Sequence, residues 1–212
     1  LRQPGEALPA GKIYDSNQTY MTARLRQLGC EPVLCRAVGD DTEAIAAAVR
    51  EAATTADLIL TTGGVSVGVK DLLPAVLDKL GARTVFHGVA MKPGMPTLFA
   101  MTADNVPVMG LSGNPFAAAV AFELLTRPLL ALLSGNEAFA LRRAHGRLVN
   151  SFGKPSGCRR FIRATLENGQ IRVPDGQSNG VMRSMVGCNC LVDVPAGSGA
   201  LEAGDEAEVI LL

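Results

Sequence analysis

The stretch Asp57-Leu58-Ile59-Leu60-Thr61-Thr62-Gly63-Gly64 decides the predicted fold of this chain. Its apolar run, with no polar alternation, is typical of a strand that is buried on both faces of a sheet. Two glycines then end the strand, and another glycine, Gly68, precedes a helix that is predicted to begin near Asp71. A buried strand, a glycine-rich loop and a helix in this order favour an α/β fold with a mainly parallel sheet.

The segments on either side continue this alternation of helices and strands. Upstream, Asp15-Ser16-Asn17 supplies N-cap candidates for one helix and Asp41-Thr42 caps a second, with a short apolar strand between them at 32–38. Further strands are predicted downstream at 83–86, 97–101 and 106–111. Pro115 then opens a long apolar helix. We therefore expect a first domain over residues 1–140, with three layers and helices on both faces of the sheet.

The pattern changes after residue 135, where short apolar runs alternate with turn residues. Strands are predicted at 148–152, 159–166, 170–173, 190–194 and 206–212. Asn168-Gly169, between two of these strands, is a two-residue signal for a hairpin. Short strands at this spacing favour a small β-barrel or sandwich, so a second domain is expected over residues 141–212.

The composition excludes several classes of function. Twenty basic and twenty acidic residues give zero formal net charge, which argues against nucleic acid as a partner. The longest uncharged run, 105–122, is interrupted by Ser112-Gly113-Asn114-Pro115, so we expect no membrane span there. Five cysteines and an opening stretch without the pattern of a signal peptide favour a reducing, cytoplasmic location.

Four unusual loops follow predicted strands. They are Gly39-Asp40-Asp41-Thr42, Thr62-Gly63-Gly64-Val65-Ser66-Val67-Gly68-Val69-Lys70-Asp71, Lys92-Pro93-Gly94-Met95-Pro96 and Gly110-Leu111-Ser112-Gly113-Asn114-Pro115. Ligands of doubly wound sheets bind beyond the carboxyl ends of the strands. Glycines let backbone N–H groups approach an anion closely, and a helix N-terminus adds a favourable dipole. The loops therefore predict a site for a phosphate or a similar oxyanion, with the 62–71 loop at its centre.

The charged residues of these loops allow two interpretations. Carboxylates that face a phosphate normally act through Mg²⁺, and Asp40, Asp41 and Asp71 are the candidate ligands. Helix capping alone would explain Asp15 and Asp41 singly. Lys92 is a candidate partner for an anion, and the alternative for it is a solvated lysine.

A different motif overlaps the same loop. Gly64-Val65-Ser66-Val67-Gly68 matches the G-x-S-x-G pattern of serine hydrolases, which would make Ser66 a nucleophile with His87 or His145 as its base. In the strand–turn–helix motif that carries the serine of such hydrolases, the helix begins directly after the serine, whereas here the predicted helix begins several residues later. For Cys188 and Cys190 the pattern allows a metal site, but packing within a strand is the simpler interpretation.

Taken together, five motifs resemble the molybdopterin molybdenumtransferase family, which includes bacterial MoeA proteins and the E domain of gephyrin. They are Asp15-Ser16-Asn17, Gly39-Asp40-Asp41, Gly63-Gly64-Val65-Ser66-Val67-Gly68-x-x-Asp71, Lys92-Pro93-Gly94-x-Pro96 and Gly110-Leu111-x-Gly113-Asn114-Pro115. Their order and spacing match, and the resemblance runs from about residue 5 to the end of the chain. It implies that the C-terminal strands form the small β-barrel domain of that family.

The resemblance implies a late step in the synthesis of the molybdenum cofactor. Adenylated molybdopterin and molybdate would be the substrates, AMP would leave with the assistance of Mg²⁺, and the dithiolene would receive the molybdenum. Asp40, Asp71 and Lys92 would be catalytic, and Asp40, Asp41 and Asp71 would hold the metal. The implied substrate-binding residues are Asp15, Ser16, Asn17, Thr62, Gly63, Gly64, Val65, Ser66, Gly68, Pro93, Gly94, Pro96, Ser112, Gly113, Asn114 and Pro115.

The resemblance also carries expectations about what surrounds the chain. It implies a first strand and two further domains upstream of Leu1, a homodimer formed through them, and a molybdopterin adenylyltransferase as a partner. We therefore expect the isolated chain to bind poorly or to be inactive. Met95 and Ser112 depart from the residues common in the family, and we expect them to alter the shape of the pocket. A pterin-binding scaffold without turnover is the alternative within the same fold.

Overall fold

The computed structural model describes residues 1–66, 72–180 and 182–212. These residues group into two compact units. The first contains residues 1–88 and 96–113, and the second contains residues 89–95 and 114–212. The predicted first domain runs to residue 140, and that division of the chain stays a prediction.

The first unit is built on a four-stranded sheet. Its strands are β1 (Ile59–Thr62), β2 (Arg83–His87), β4 (Leu98–Met101) and β5 (Pro107–Leu111), in the order β1-β5-β4-β2. The pair β1–β5 is parallel, whereas β5–β4 and β4–β2 are antiparallel. The α/β fold class is confirmed, but the expectation of a mainly parallel sheet is wrong in the described part. The connection 102–106 between β4 and β5 is too short for the crossover that parallel strands require.

Three helices accompany this sheet: α1 (Ser16–Gln27), α2 (Thr42–Ala53) and α3 (Leu73–Lys79). The predicted caps are confirmed. The carboxylate of Asp15 accepts from the N–H of Gln18 at 2.9 Å, and that of Asp41 accepts from the N–H of Ala44 at 2.7 Å. The buried core of this unit consists of Val49, Ala52, Ile59, Val65, Leu73, Leu77, Leu98, Ala100 and Val108.

The strand predicted at 32–38 does not form. This segment has no regular secondary structure, and its apolar side chains are exposed, with 57% of Val33 accessible to solvent. An apolar run becomes a strand only when a neighbouring strand accepts and donates its backbone hydrogen bonds. No described strand pairs with residues 32–38, so the apolar pattern alone misled the prediction.

A long helix opens the second unit. It consists of α4 (Pro115–Ala121), a π-helical turn (Phe122–Thr126) and α5 (Arg127–Ser134), and it ends at Gly135 in the left-handed conformation. By length and composition alone this helix could cross a membrane, but 61% of its most apolar window is buried within the folded chain. A buried ion pair, Arg127 to Glu123 at 3.1 Å, lies on it. These are features of a core helix in a globular protein.

The remaining strands form a closed barrel with one additional strand. They are β3 (Met91–Lys92), β6 (Arg142–Leu148), β7 (Arg159–Glu167), β8 (Gln170–Arg172), β9 (Cys190–Val194) and β10 (Glu206–Leu211). The order β7-β8-β6-β10-β9 closes through β7–β9, and β3 pairs with β7 in parallel. The predicted hairpin at Asn168-Gly169 is confirmed, with φ of 50° and 77°. Cys190 lies in the barrel core, where burial raises the pKa of its thiol to about 12, so its role there is packing.

Candidate functional site

The carboxyl ends of β1 and β5 lie side by side in the first unit. The two strands are parallel, with Thr62 opposite Leu111, and the N–H of Gly63 donates to the carbonyl of Leu111 at 2.8 Å. The loops that follow these strands therefore begin at the same edge of the sheet. Ligands of α/β sheets bind at such an edge, so two of the predicted loops meet where the sequence placed them.

Two glycines allow these loops to approach each other closely. A Cβ atom added to Gly113 would lie 3.4 Å from the Cα of Gly63, and one added to Gly63 would lie 3.8 Å from the Cα of Gly113. Gly63 also has a φ of +87°, which disfavours any residue with a side chain. The backbones, rather than side chains, therefore face each other here, and a ligand at this edge can approach the backbone closely.

The N-terminus of α1 joins the same edge. The side-chain amide of Asn17 donates to the carbonyl of Gly113 at 3.0 Å, across 96 positions of sequence. Asp15 is buried and holds the helix start through its cap, so the structure supports the capping interpretation of this carboxylate. Ser16 begins the helix and, with Asp15, lines a shallow cleft of about 430 Å³. Three of the five motifs thus converge within the first unit.

The residues that follow the glycines have separate roles. Val65 is buried in the core, and its carbonyl accepts a hydrogen bond from Nε2 of His87 at 2.7 Å. The carbonyl of Gly64 accepts from the N–H of Leu73 at 3.2 Å, which ties the loop to α3. Ser66 is exposed, and within the described ranges no hydrogen bond joins it to a histidine. The described geometry therefore lacks the serine–histidine pair of a hydrolase.

The predicted magnesium ligands are only partly described. Asp71 and Gly68 lie outside the described residues. The carboxylate of Asp41 caps α2 by accepting a hydrogen bond from the N–H of Ala44, and Asp40 is exposed. Among residues 1–66, 72–180 and 182–212, no group of three or more His, Cys, Asp or Glu side chains comes together. Mg²⁺ requires several oxygen ligands, so the described carboxylates do not form a magnesium site by themselves.

The Lys92 loop belongs largely to the second unit, which contains residues 89–95, whereas Pro96 belongs to the first. Lys92 is exposed and lies opposite Arg160 in the parallel pairing of β3 with β7. The peptide bond from Lys92 to Pro93 is cis. Gly94 packs tightly, because an added Cβ would lie 2.7 Å from the Cε of Met91 and 3.4 Å from the carbonyl oxygen of Ala117. The loop thus has an exposed ammonium group on a closely packed backbone.

The last predicted loop ends in the start of α4. Asn114 is the N-cap residue in an extended conformation, its carbonyl accepts from the N–H of Ala118 at 2.9 Å, and Pro115 is at the first helical position as predicted. Ser112 and Gly113 belong to the first unit and Asn114 and Pro115 to the second.

The structural roles of two residues were missed by the sequence-based prediction, which named Gly110 only as part of a loop motif and did not name Arg163. Gly110 in β5 has no room for a side chain, since an added Cβ would lie 2.7 Å from Cγ1 of Val65. A glycine within an apolar strand is the signal that could have revealed it. Arg163 in β7 is completely buried. The signal that could have revealed it is a charged residue between the apolar residues Ile162 and Ala164 of a predicted strand.

Comparisons with known proteins agree with this arrangement. A model described as "Probable molybdopterin binding domain" matches residues 5–132, and one described as "MoeA C-terminal region (domain IV)" matches residues 145–212. Molybdopterin molybdenumtransferases from Bacillus subtilis and Synechococcus elongatus are 35% and 36% identical over 100% and 95% of the chain. The chain spans about half the length of these relatives, 50% of each.

Solved structures of molybdenum cofactor biosynthesis proteins also resemble this chain. A molybdopterin biosynthesis MoeA protein from Pyrococcus horikoshii superposes with a TM-score of 0.85 at 29% identity, over 99% of this chain and 51% of that one. A molybdenum cofactor biosynthesis protein from Pyrococcus furiosus superposes with a TM-score of 0.75 at 26% identity, over 93% of this chain and 65% of that one. The chain therefore belongs to the molybdopterin molybdenumtransferase family, and it matches the probable molybdopterin binding domain and the C-terminal region of MoeA proteins.

Proposed function

We propose that the chain carries the part of a molybdopterin molybdenumtransferase that binds adenylated molybdopterin and exchanges AMP for molybdenum. The observation that carries this proposal is the convergence of two predicted loops and the N-terminus of α1 at the ends of β1 and β5, supported by the bond between Asn17 and the carbonyl of Gly113. The relatives from Bacillus subtilis and Synechococcus elongatus are molybdopterin molybdenumtransferases, and their activity supplies the proposed substrate class.

The proposed roles follow from the chemistry of the loops. The backbone N–H groups of Gly64, Val65 and Ser66, together with Gly68, bind phosphate oxygens of the adenylated substrate, and Thr62 and Gly63 hold the start of this loop, where the N–H of Gly63 donates to the carbonyl of Leu111. The N-terminal turn of α1, with Ser16 and Asn17, completes this cradle, because a helix N-terminus attracts negative charge, and Asp15 contributes by capping this turn. Ser112, Gly113, Asn114 and Pro115 hold the pterin or its phosphate. In the reaction water cleaves the phosphoanhydride bond, so that AMP leaves and the pterin keeps its own phosphate. The two dithiolene thiols then bind the molybdenum of molybdate, and one molybdate oxygen leaves as water with the two thiol protons.

Lys92 is proposed to neutralise oxyanion charge on molybdate or phosphate. It is exposed, and the structure gives it no ion pair within the described ranges. Pro93, Gly94 and Pro96 are proposed to fix the backbone from which Lys92 reaches its ligand, since the prolines and the packed glycine restrict its path.

The magnesium assignment to Asp40, Asp41 and Asp71 remains a prediction that the described carboxylates do not support by their geometry. Bound Mg²⁺ would neutralise phosphate charge during the release of AMP. The proposed contribution of the chain itself is to bind and orient the phosphates through backbone N–H groups and Lys92. Release of AMP with and without Mg²⁺, in the wild type and in Asp71→Ala, tests the metal part on its own.

The deciding experiment is AMP release from adenylated molybdopterin in the presence of molybdate, by the protein that contains this chain. Asn17→Leu should lower kcat/KM about tenfold, because it removes the hydrogen bond that holds the start of α1 against the loop at Gly113. Gln18→Leu is the matched control, since its amide bonds to Gln3 and not to these loops. Equal losses in both variants, or release that does not need molybdate, would refute the assignment of the site.

A scaffold that binds the pterin without turnover is the second candidate. Tight binding of molybdopterin without release of AMP would establish it. Covalent labelling of Ser66 by a fluorophosphonate probe would support the hydrolase alternative, for which the described geometry offers no serine–histidine bond. A homodimer, a molybdopterin adenylyltransferase partner and a cytoplasmic location complete the proposal, and the size of the assembly in solution tests the first of these.

A further inference from the structure

Arg163 is a cation in the interior of the second unit. Its relative exposure is 0%, and no acidic side chain forms an ion pair with it in the described part of the chain. Burial lowers the pKa of its guanidinium, and the neighbouring Cys188 only partly offsets this effect. Buried charges are normally paired with opposite charges, because desolvation is costly. A buried arginine without such a partner therefore needs a specific explanation.

Its contacts provide one. The Cζ atom of Arg163 lies 3.9 Å from the centre of the Phe116 ring, so the guanidinium lies against the face of the ring. Its Nη2 group donates to the carbonyls of Gly176 and Ser178 at 3.1 Å and 2.7 Å. The Nε and Nη1 atoms are buried, and neither has a hydrogen-bond partner among the described residues. An aromatic face and two carbonyl dipoles thus compensate the charge in place of a carboxylate.

The same contacts join three segments into a closed circuit. Phe116 is the second residue of α4, and its N–H donates to the carbonyl of Asn179 at 3.2 Å. The side-chain amide of Gln177 donates back to the carbonyl of Arg163 at 3.2 Å. The carbonyls of Gly176, Ser178 and Asn179 therefore point to two positive groups, the guanidinium and the N-terminus of a helix.

From this circuit we propose that Arg163 is a positioning residue, which holds residues 176–179 against the first turn of α4 and so fixes Asn114 and Pro115 for the pterin. The second half of this statement rests on the proposed function, and the first half does not. The planar guanidinium suits this role because it stacks on a ring and donates to two carbonyls at once, which the ammonium group of a lysine does not.

The test compares Arg163→Met and Arg163→Lys with Arg159→Met. Methionine fills similar space without donors, and a buried charge replaced by an apolar side chain often leaves stability unchanged. Arg159 lies on the same strand, is exposed and pairs with Asp193, so its variant is the matched control. Amide exchange is followed at Phe116 and at residues 176–179, with Leu191 and Val192 of β9 as a reference for the barrel core.

In Arg163→Met we expect exchange at Phe116 to rise about tenfold, the effect of losing one or two hydrogen bonds, while Leu191 and Val192 stay protected. Arg163→Lys should not restore the protection. The KM for adenylated molybdopterin should rise about tenfold with little change in kcat, since a positioning residue acts on binding. Arg159→Met should change neither quantity.

Unchanged exchange at Phe116 in folded Arg163→Met would overturn the proposal. If this variant does not fold, exchange at Phe116 is measured in Arg163→Lys and Gln177→Ala instead. Each of these changes weakens the circuit and leaves the barrel core intact. Protection at Phe116 in both would likewise overturn it. If the wild type releases no AMP but exchange at Phe116 still depends on Arg163, the proposed function fails while the structural role of Arg163 stands. Altered exchange with an unchanged KM would remove only the link to the pterin.

Discussion

At the scale of single residues, short polar groups and glycines set the geometry of the candidate site. Asp15 and Asp41 satisfy the first N–H groups of their helices, and these roles were predictable because capping depends on neighbours only three positions away. The bond between Asn17 and Gly113 was not predictable in this way, because it joins residues that only the folded sheet brings together. The burial of Arg163 likewise depends on a helix from another part of the chain.

Gly110 gives a prediction at this scale. An added Cβ would lie 2.7 Å from Cγ1 of Val65 and 3.0 Å from Cδ2 of Leu73, two buried side chains of the core. Gly110→Ala should therefore destabilise the protein by about 1 to 3 kcal/mol through overpacking, as measured by urea unfolding. Gly153→Ala is the control, since nothing lies within 4 Å of its added Cβ, and it should change stability little. Equal stability of Gly110→Ala and the wild type would mean that the core around Val65 adjusts freely.

At the scale of elements, the sequence predicted the positions of the strands better than it predicted how the strands pair in the sheet. The strands β1, β2, β4 and β5 lie within two residues of their expected positions, because apolar runs bounded by turns are local signals. The antiparallel pairing of β4 was missed, because strand direction follows from the length of connections and the order in the sheet. The strand predicted at 32–38 was wrong for a related reason. A strand forms only beside a neighbouring strand, and the local sequence does not show whether one is present.

The start of α2 allows capping and catalysis to be separated. Asp41→Ala removes the side-chain bond to the N–H of Ala44 and should cost about 1 kcal/mol of stability, with little further effect on AMP release if capping rather than metal binding is the role of Asp41. Asp40 is exposed and makes no cap, so Asp40→Ala should leave stability unchanged but reduce AMP release if its predicted catalytic role is correct. Thermal unfolding and AMP release of both variants measure this. Loss of stability in Asp40→Ala instead would show that the cap assignment is wrong.

At the scale of the whole molecule, formal charges balance at twenty of each sign, and stability depends on where they are paired. Asp193 is the most enclosed carboxylate of the barrel ion pairs, with its side chain 3% exposed. Burial alone would raise the pKa of Asp193, but hydrogen bonds from Arg159 at 2.7 Å and Arg143 at 3.0 Å outweigh it and lower the pKa below 3.8. By contrast, Arg147 and Glu206 are paired but 71% and 74% exposed.

This contrast predicts how global stability depends on pH. A carboxyl group whose pKa is lower in the folded state stabilises the protein above its unfolded pKa, near 3.8 here, and loses that contribution as the pH falls through the folded value. Asp193→Asn should therefore be less stable than the wild type by about 1 to 2 kcal/mol at pH 7, and the difference should shrink below about pH 4. Glu206→Gln should change stability by less than about 0.5 kcal/mol throughout, because water screens its pair. Urea unfolding from pH 7 to pH 2.5 measures both, and a difference for Asp193→Asn that persists unchanged to pH 2.5 would show that shape rather than charge makes Asp193 stabilising.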